Sequence, residues 1–150
     1  MAPSGVPFHM DRVLVPMDDS EGAEQALAYA LDELDGSEIT VIHVAGAPSM
    51  MMGAATSMAL EDDLETAARE RAEPVFERAR ELASERGRDV ETAVGIGHPA
   101  HEVLDRAEDY DAIVIGAHGS DRGRLSHRVL VGNVAETIAK RAPVPVTIVR

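Results

Sequence analysis

The stretch Gly116–Val134, GAHGSDRGRLSHRVLVGNV, combines glycines, arginines and histidines in a pattern suited to phosphate binding. A glycine-rich turn before a helix exposes backbone N–H groups, and the start of the helix adds the positive end of its dipole. Arg122, Arg124 and Arg128 could add charge-assisted hydrogen bonds to phosphate oxygens. Alternatively, the glycines only permit a tight turn and the arginines are solvated. The local pattern leaves both interpretations open.

Asp18 is a second candidate, because it directly follows a predicted strand and stands beside another carboxylate, Asp19. The pair could bind a sugar hydroxyl or a metal ion, or it could begin a turn and cap the next helix. His118 and His127 belong to the glycine-rich stretch and could contact phosphate, although solvation is the default for histidines in a loop.

Several other motifs point to chemistry that the surrounding sequence does not complete. GIGHPA, residues 95–100, matches a dinucleotide fingerprint, but the next strand ends in VIGAHG without the carboxylate that would hold the ribose. His98 and His101 could share a metal ion, yet no cysteine or HExxH pattern completes a zinc site. The chain also lacks G-x-S-x-G and P-loop patterns. We therefore predict no metal ligands and no catalytic residue.

Four methionines, Met50, Met51, Met52 and Met58, form an adaptable apolar group within a segment that has no periodicity. They could cover an adenine ring or contact a partner chain. A flexible methionine-rich loop is the alternative, and the sequence does not decide between them.

Strands and helices alternate along the chain, which predicts an α/β fold with a parallel, doubly wound sheet. Ser20 is the expected N-cap of the first helix and Gly36 its stop. Pro74 predicts a kink or a break in a long helix that ends near Gly87. Ligands of such sheets bind beyond the carboxyl ends of the strands. The predicted strands are 12–17, 38–45, 89–94, 111–116 and 144–150, and the predicted helices follow Ser20, Leu60, His98 and Gly132.

The composition narrows the class of protein. The chain has 150 residues, enough for one domain with a core of its own, and it has no cysteine. Its formal net charge is −13, and Lys140 is its only lysine, which disfavours nucleic-acid binding and resembles proteins of salt-accumulating halophiles. No signal peptide is predicted. The uncharged run Ile39–Leu60 is interrupted by glycine and proline, so we expect a soluble, cytoplasmic protein.

The order of motifs resembles the universal stress protein family. The resemblance rests on VLVPMDDSEGAEQALAYA, VIHV, GHPAHEVLDRAEDYDAIVIGAHG and RVLVGNVAETIAKRAPVPVTIVR, which together place the chain from about Arg12 to Arg150. It implies a five-stranded, three-layer α/β/α fold of the adenine nucleotide alpha hydrolase-like type, over residues 12–150, after a flexible extension of residues 1–11. It also implies a homodimer formed through the last strand, Val144–Arg150.

One branch of that family binds ATP through Gly-x2-Gly-x9-Gly-(Ser/Thr). By resemblance, Gly116, Gly119 and Gly132 match its glycines, and Asn133 stands where the hydroxyl residue would be. Twelve residues separate the last two glycines instead of nine, and Asn can still donate a hydrogen bond to phosphate. The resemblance implies the following nucleotide-binding set: Pro16, Met17, Asp18, Val44, Gly116, His118, Gly119, Arg128, Gly132, Asn133 and Val134.

Two functional hypotheses follow from the resemblance. In the first, the protein is a dimeric switch that binds ATP or another adenine nucleotide, accompanied by Mg²⁺, with at most slow ATP hydrolysis. Val44 would meet the adenine, Asp18 the ribose, and the glycines the phosphates. In the second, the protein is a dimeric interaction module that binds no nucleotide, and its lengthened loop and methionines form a partner surface. A third reading, a hydrolase-like enzyme, lacks a visible catalytic set.

Overall fold

The structure is a computed structural model, and it describes residues 11–46, 61–117 and 132–150. The predicted N-terminal extension (apart from residue 11) and the methionine-rich segment lie outside these ranges. The middle of the glycine-rich stretch, with His118, Gly119 and Arg128, lies outside them as well.

Five parallel strands and four α-helices alternate along the described chain. The strands are β1 (Arg12–Pro16), β2 (Glu38–Ala45), β3 (Glu91–Ile96), β4 (Ala112–Gly116) and β5 (Val146–Val149). The helices are α1 (Glu21–Glu33), α2 (Glu61–Ser84), α3 (Pro99–Arg106) and α4 (Asn133–Arg141), and a short 3-10 turn, Ala107–Asp109, follows α3.

The strands form one sheet in the order β3-β2-β1-β4-β5, and every neighbouring pair is parallel. The order runs outward from β1 in both directions, so the direction of winding reverses between β1 and β4. In doubly wound sheets, this switch point opens a crevice at the carboxyl ends of the strands. The predicted fold class is therefore confirmed.

The helices cover both faces of the sheet and give the domain two cores. One core packs α1 and α2 against β1 and β2 and contains Leu27, Leu31 and Phe76. The other packs α3 and α4 against the opposite face and contains Leu14, Ile113 and Ile138. The central strands β1 and β4 are buried on both faces, which is why their sequences read as nearly continuous apolar runs.

The ends of α1 follow the predicted signals. The Ser20 hydroxyl accepts a hydrogen bond from the Ala23 N–H (3.1 Å), so Ser20 is the N-cap. At the other end, Gly36 has φ +83°, a left-handed conformation that favours glycine. Arg88 then ties the end of α1 to the region after α2, because its guanidinium donates to the carbonyls of Leu31 and Ser37, both at 2.7 Å.

The structure corrects several predicted element boundaries. Of the two outcomes predicted for Pro74, a kink or a break, the break is wrong, because α2 runs through Pro74 as a single element. Pro74 and Glu70 are both exposed, so water can satisfy the Glu70 carbonyl that the missing N–H leaves without a partner. The third strand spans Glu91–Ile96 rather than 89–94, because its ladder with β2 runs from Glu91, opposite Thr40, to Ile96, opposite Ala45. The fifth strand spans Val146–Val149 rather than 144–150, because its ladder with β4 begins at Val146, opposite Ile113.

None of the described helices combines the length and the apolar character required to cross a membrane.

Candidate functional site

A cavity of about 490 Å³ lies at the carboxyl end of the sheet, where the winding reverses between β1 and β4. The ends of β1, β2 and β4 contribute to it, together with the first turns of α1, α3 and α4. The volume is in the range of small-molecule sites. Every predicted binding residue within the described ranges lines this cavity: Pro16, Met17, Asp18, Val44, Gly116, Gly132, Asn133 and Val134.

Asp18 lies between the end of β1 and the start of α1. Its Oδ1 accepts a hydrogen bond from the Ser20 N–H (2.9 Å), and Ser20 in turn caps α1. The turn-forming role considered for Asp18 is thus present, and the same residue also lines the cavity. Asp18 is the one ionisable side chain among the described lining residues.

Gly116, the first glycine of the phosphate pattern, ends β4 against the first turn of α1. A Cβ atom at this position would lie 2.6 Å from the Gly22 carbonyl oxygen and 2.8 Å from its carbonyl carbon. These are backbone atoms, which cannot move aside as a flexible side chain would. The packing of β4 on α1 therefore requires glycine here, independently of any ligand.

Gly132, the third glycine of the pattern, is the N-cap of α4. Its φ of −73° and ψ of 167° are open to any residue, so backbone conformation does not require glycine. Its N–H donates to the Ala117 carbonyl (2.5 Å), which joins the end of β4 to the start of α4. The two ends of the glycine-rich stretch are thus held together at the cavity.

The start of α4 presents backbone donors to the cavity. Among the described residues, no side chain caps this helix, and its first internal hydrogen bond runs from the Glu136 N–H to the Gly132 carbonyl (2.9 Å). The N–H groups of Asn133, Val134 and Ala135 precede that bond, so the helix itself provides them with no acceptor. Together with the helix dipole, they favour a negatively charged group at this end of the cavity.

Apolar side chains form much of the remaining wall. Ile42 from β2, Val103 from α3 and Ile115 from β4 are buried, and Val44 is half-buried beside them. An apolar wall with a few polar groups is typical of sites that hold a flat ring and fix its orientation.

The model of the universal stress protein family matches residues 9–150 of this chain. The chain belongs to this family. Universal stress protein YxiE of Bacillus subtilis is 26% identical over 149 residues, covering 93% of this chain and 99% of its own. Universal stress protein MJ0577 of Methanocaldococcus jannaschii is 28% identical over 155 residues, covering 93% of this chain and 94% of its own.

Solved structures of the same family share the fold. The structure of MJ0577 superimposes with a TM-score of 0.76 at 27% identity, covering 94% of this chain and 96% of its own. Three more distant universal stress proteins were solved with adenine nucleotides. One is bound to cAMP (TM-score 0.67), one from Archaeoglobus fulgidus to dAMP (0.61), and one from Arabidopsis thaliana to AMP (0.61). They are 19%, 23% and 16% identical to this chain, so the superpositions establish a shared fold.

The glycines of GIGHPA have structural roles in this universal stress protein. A Cβ at Gly95 would lie 3.1 Å from Glu102 Oε1 and 3.3 Å from Val44 Cγ2, and Gly97 has φ +129°. The imidazole rings of His98 and His101 lie 4.5 Å apart between centroids, tilted by 31°. In the part of the chain that the structure describes, no three His, Cys, Asp or Glu side chains are grouped to hold a metal ion.

Sequence reasoning missed several residues that line the cavity. Ser20 and Ala23 enter it from the first turn of α1, and Pro99 and Val103 enter it from α3. The available signal was positional, because the helices that follow β1 and β3 must begin at the carboxyl edge of the sheet.

Proposed function

We propose that this universal stress protein binds an adenine nucleotide in the cavity at the switch point of the sheet. The observation that carries the proposal is that a single cavity combines apolar walls, the Asp18 carboxylate and the uncapped start of α4. The apolar walls suit a base, the Asp18 carboxylate suits a ribose hydroxyl, and the start of α4 suits a phosphate. Three universal stress proteins were solved in complex with cAMP, dAMP and AMP, which supports an adenine nucleotide as the ligand here.

Each part of the nucleotide has an assigned position in this proposal. The base lies against Ile42 and Val44, and the Val44 backbone reads its edge. The Asp18 carboxylate accepts a hydrogen bond from the ribose. The phosphates meet the N–H groups of Asn133 and Val134, with His118, Gly119 and Arg128 contributing from outside the described residues.

ATP is the proposed nucleotide, and Mg²⁺ would accompany its phosphates. Asp18, Ser20 and Asn133 carry the side-chain oxygens among the described residues that line the cavity, and the Ser20 hydroxyl already accepts from the Ala23 N–H. Mg²⁺ keeps several water ligands and takes one or two carboxylates besides the phosphates, which this small donor set can meet. Binding, rather than turnover, is the proposed activity of a cytoplasmic, dimeric switch in the stress response.

Purification in high salt tests the proposal directly. The protein is denatured, and the released material is separated by ion exchange with mass detection. Stripped protein is then titrated with ATP and AMP by calorimetry. A stoichiometric adenine nucleotide is the expected result.

The Asn133 side chain, exposed at the first turn of α4, offers a matched pair of variants. In buffer without Mg²⁺, Asn133→Asp places a negative charge beside the phosphates, so ATP affinity should fall at least about tenfold, which corresponds to 1.4 kcal/mol. The same carboxylate favours the helix dipole, so thermal stability should not fall. Asn133→Ser provides the family's hydroxyl and should retain binding. Equal ATP affinity in Asn133→Asp and wild-type protein would contradict the phosphate assignment.

The alternative function, a dimeric interaction module without nucleotide, is favoured by the length of the loop and by Asn133, which stands where the pattern has Ser or Thr. Twelve residues separate Gly119 from Gly132 where the ATP-binding pattern has nine. A protein that carries no nucleotide and ignores added ATP would turn the lengthened loop into a candidate partner surface. Gly119→Val provides a further test, because it should abolish nucleotide binding and leave the oligomeric state unchanged.

A further inference from the structure

The hydrogen-bond ladder between β1 and β2 ends at Met17, at the edge of the cavity. The Met17 N–H donates to the Ile42 carbonyl (2.8 Å). In a parallel pair, alternate residues direct both backbone groups to the same neighbour. The backbone N–H and C=O groups of Ile42 and Val44 therefore both point toward β1. In a continued ladder, the next hydrogen bond would join the Val44 N–H to the Met17 carbonyl.

The imidazole of His43 takes that carbonyl instead. Its Nδ1 lies 2.9 Å from the Met17 oxygen. Because a carbonyl only accepts hydrogen bonds, Nδ1 must carry the proton, either in the neutral Nδ1–H tautomer or in the imidazolium. The His43 backbone is itself held in the ladder with β3, opposite Val94, so the imidazole stands on a rigid support.

The sheet therefore lacks one β1–β2 hydrogen bond at the point where the cavity begins. Met17, Asp18 and Val44 line the cavity together. Among the described residues, no hydrogen bond joins the Val44 N–H to the Met17 carbonyl, which His43 engages instead, so this N–H remains for a ligand beside the Val44 carbonyl on the same side of the strand. An adjacent donor and acceptor match the acceptor and the amino group on one edge of an adenine ring.

We propose that His43 is a positioning residue of this site, which holds the Met17 carbonyl away from Val44 so that the Val44 backbone can read the base. The inference rests on the proposed nucleotide function for its ligand. Its structural part, the competition between the His43 imidazole and the Val44 N–H for one carbonyl, can be tested without nucleotide.

Three variants at His43 separate the hydrogen bond from the volume of the side chain. His43→Leu keeps an apolar volume and removes the donor. His43→Asn places an amide nitrogen on Cγ, where Nδ1 is attached, and so restores the donor. His43→Gln carries its amide nitrogen one bond further out and should not restore it.

The first experiment measures the affinity of each variant for AMP and for ribose 5-phosphate, which lacks the base. His43→Leu should weaken AMP binding about tenfold, as expected for one hydrogen bond to a group that is otherwise left unsatisfied, and should leave ribose 5-phosphate unchanged. His43→Asn should recover most of the loss. Equal AMP affinity in His43→Leu and wild-type protein, or an equal loss for both ligands, would overturn the positioning role and leave the proposed function intact.

The second experiment measures amide hydrogen exchange of Val44 by NMR in nucleotide-free protein. Wild-type protein should exchange this amide rapidly, whereas in His43→Leu the freed Met17 carbonyl should protect it, slowing exchange at least about tenfold. An unchanged exchange rate would overturn the inference even if AMP binds. If wild-type protein binds no AMP but Val44 becomes protected in His43→Leu, the nucleotide proposal fails and the role of His43 stands.

Discussion

At the scale of single residues, the same side chain or glycine often serves the fold and the site at once. Asp18 accepts the Ser20 N–H and also lines the cavity, and Ser20 caps α1. Gly116 belongs to the phosphate pattern, yet its contact with Gly22 gives it a packing role that needs no ligand. A loss of binding on mutating such a residue therefore requires a separate measurement of stability.

Gly116→Ala should destabilise the nucleotide-free protein. The added Cβ would meet backbone atoms of Gly22 at 2.6 and 2.8 Å, so β4 or α1 must shift. Overpacking of this kind costs about 1–3 kcal/mol in the free energy of unfolding, which urea denaturation would measure. Gly46→Ala is the matched control, because no atom of the described residues lies within 4 Å of its added Cβ, and its effect should stay within about 0.5 kcal/mol. Two equally stable variants would show that the β4–α1 contact is loose.

At the scale of elements, α2 is tied to α1 by charged side chains as well as by the core. Arg78 Nε lies 3.2 Å from Oε1 of Glu24 in α1, and Arg78 Nη1 lies 2.9 Å from Oε1 of Glu81. Its hydrogen bonds with Glu81 and then Glu24 raise the pKa of Arg78 above its ordinary value. Any stability from this raised pKa is present at neutral pH and is lost only in strong alkali. We therefore expect no pH dependence from Arg78 near neutrality.

The edge strand β5 is the element through which we propose that two copies associate. Its odd-numbered residues bond to β4, since Pro145 and Val149 carbonyls accept from the Ile113 and Ala117 N–H groups (both 2.9 Å). Val146 and Ile148 therefore direct their backbone groups outward, where an antiparallel partner strand could pair with them. An exposed edge of this kind invites pairing.

Val146→Pro should convert the proposed dimer into a folded monomer. Proline removes the outward N–H of Val146 and spares the hydrogen bonds to β4, a position where edge strands tolerate it. Val146→Ala removes side-chain volume but keeps the N–H, so it should remain dimeric. Light scattering after size exclusion gives both masses, with circular dichroism to confirm folding. A dimeric Val146→Pro protein would place the interface elsewhere.

At the scale of the whole molecule, the excess of acidic over basic side chains decides how stability depends on salt. The formal net charge is −13. The ion pairs of the described residues lie largely at the surface, where each contributes about 0–1 kcal/mol and is weakened by salt. Repulsion among the carboxylates therefore outweighs them, and salt should act mainly by screening that repulsion.

Thermal stability should rise from dilute buffer to molar KCl. The Debye length falls from about 10 Å at 0.1 M to about 3 Å at 1 M, so most of the repulsion is screened. A variant that neutralises three exposed carboxylates of α2, Asp63→Asn, Glu70→Gln and Glu77→Gln, should show a smaller rise. Scanning calorimetry across the salt series measures both curves. Parallel curves would mean that salt acts through general exclusion from the surface rather than through charge, and a flat wild-type curve would contradict the halophile-like interpretation.

The sequence by itself determined the class of fold and the edge of the sheet where the ligand would lie. Periodicity is a local property, so apolar runs and caps such as Ser20 are visible residue by residue. The alternation of strands and helices then leaves few possible topologies. The resemblance to universal stress proteins added Val44 and Asn133 to Asp18, which its position after a predicted strand had already indicated.

Only the tertiary structure decided the features that depend on distant residues meeting. The contact of Gly116 with Gly22 and the hydrogen bond of His43 to Met17 join segments 94 and 26 residues apart in the sequence, and no local pattern specifies such distances. The ladder with β2 decided where β3 begins. The exposure of Pro74 to solvent allowed α2 to continue through it. Local propensity yields to packing wherever two elements share one surface.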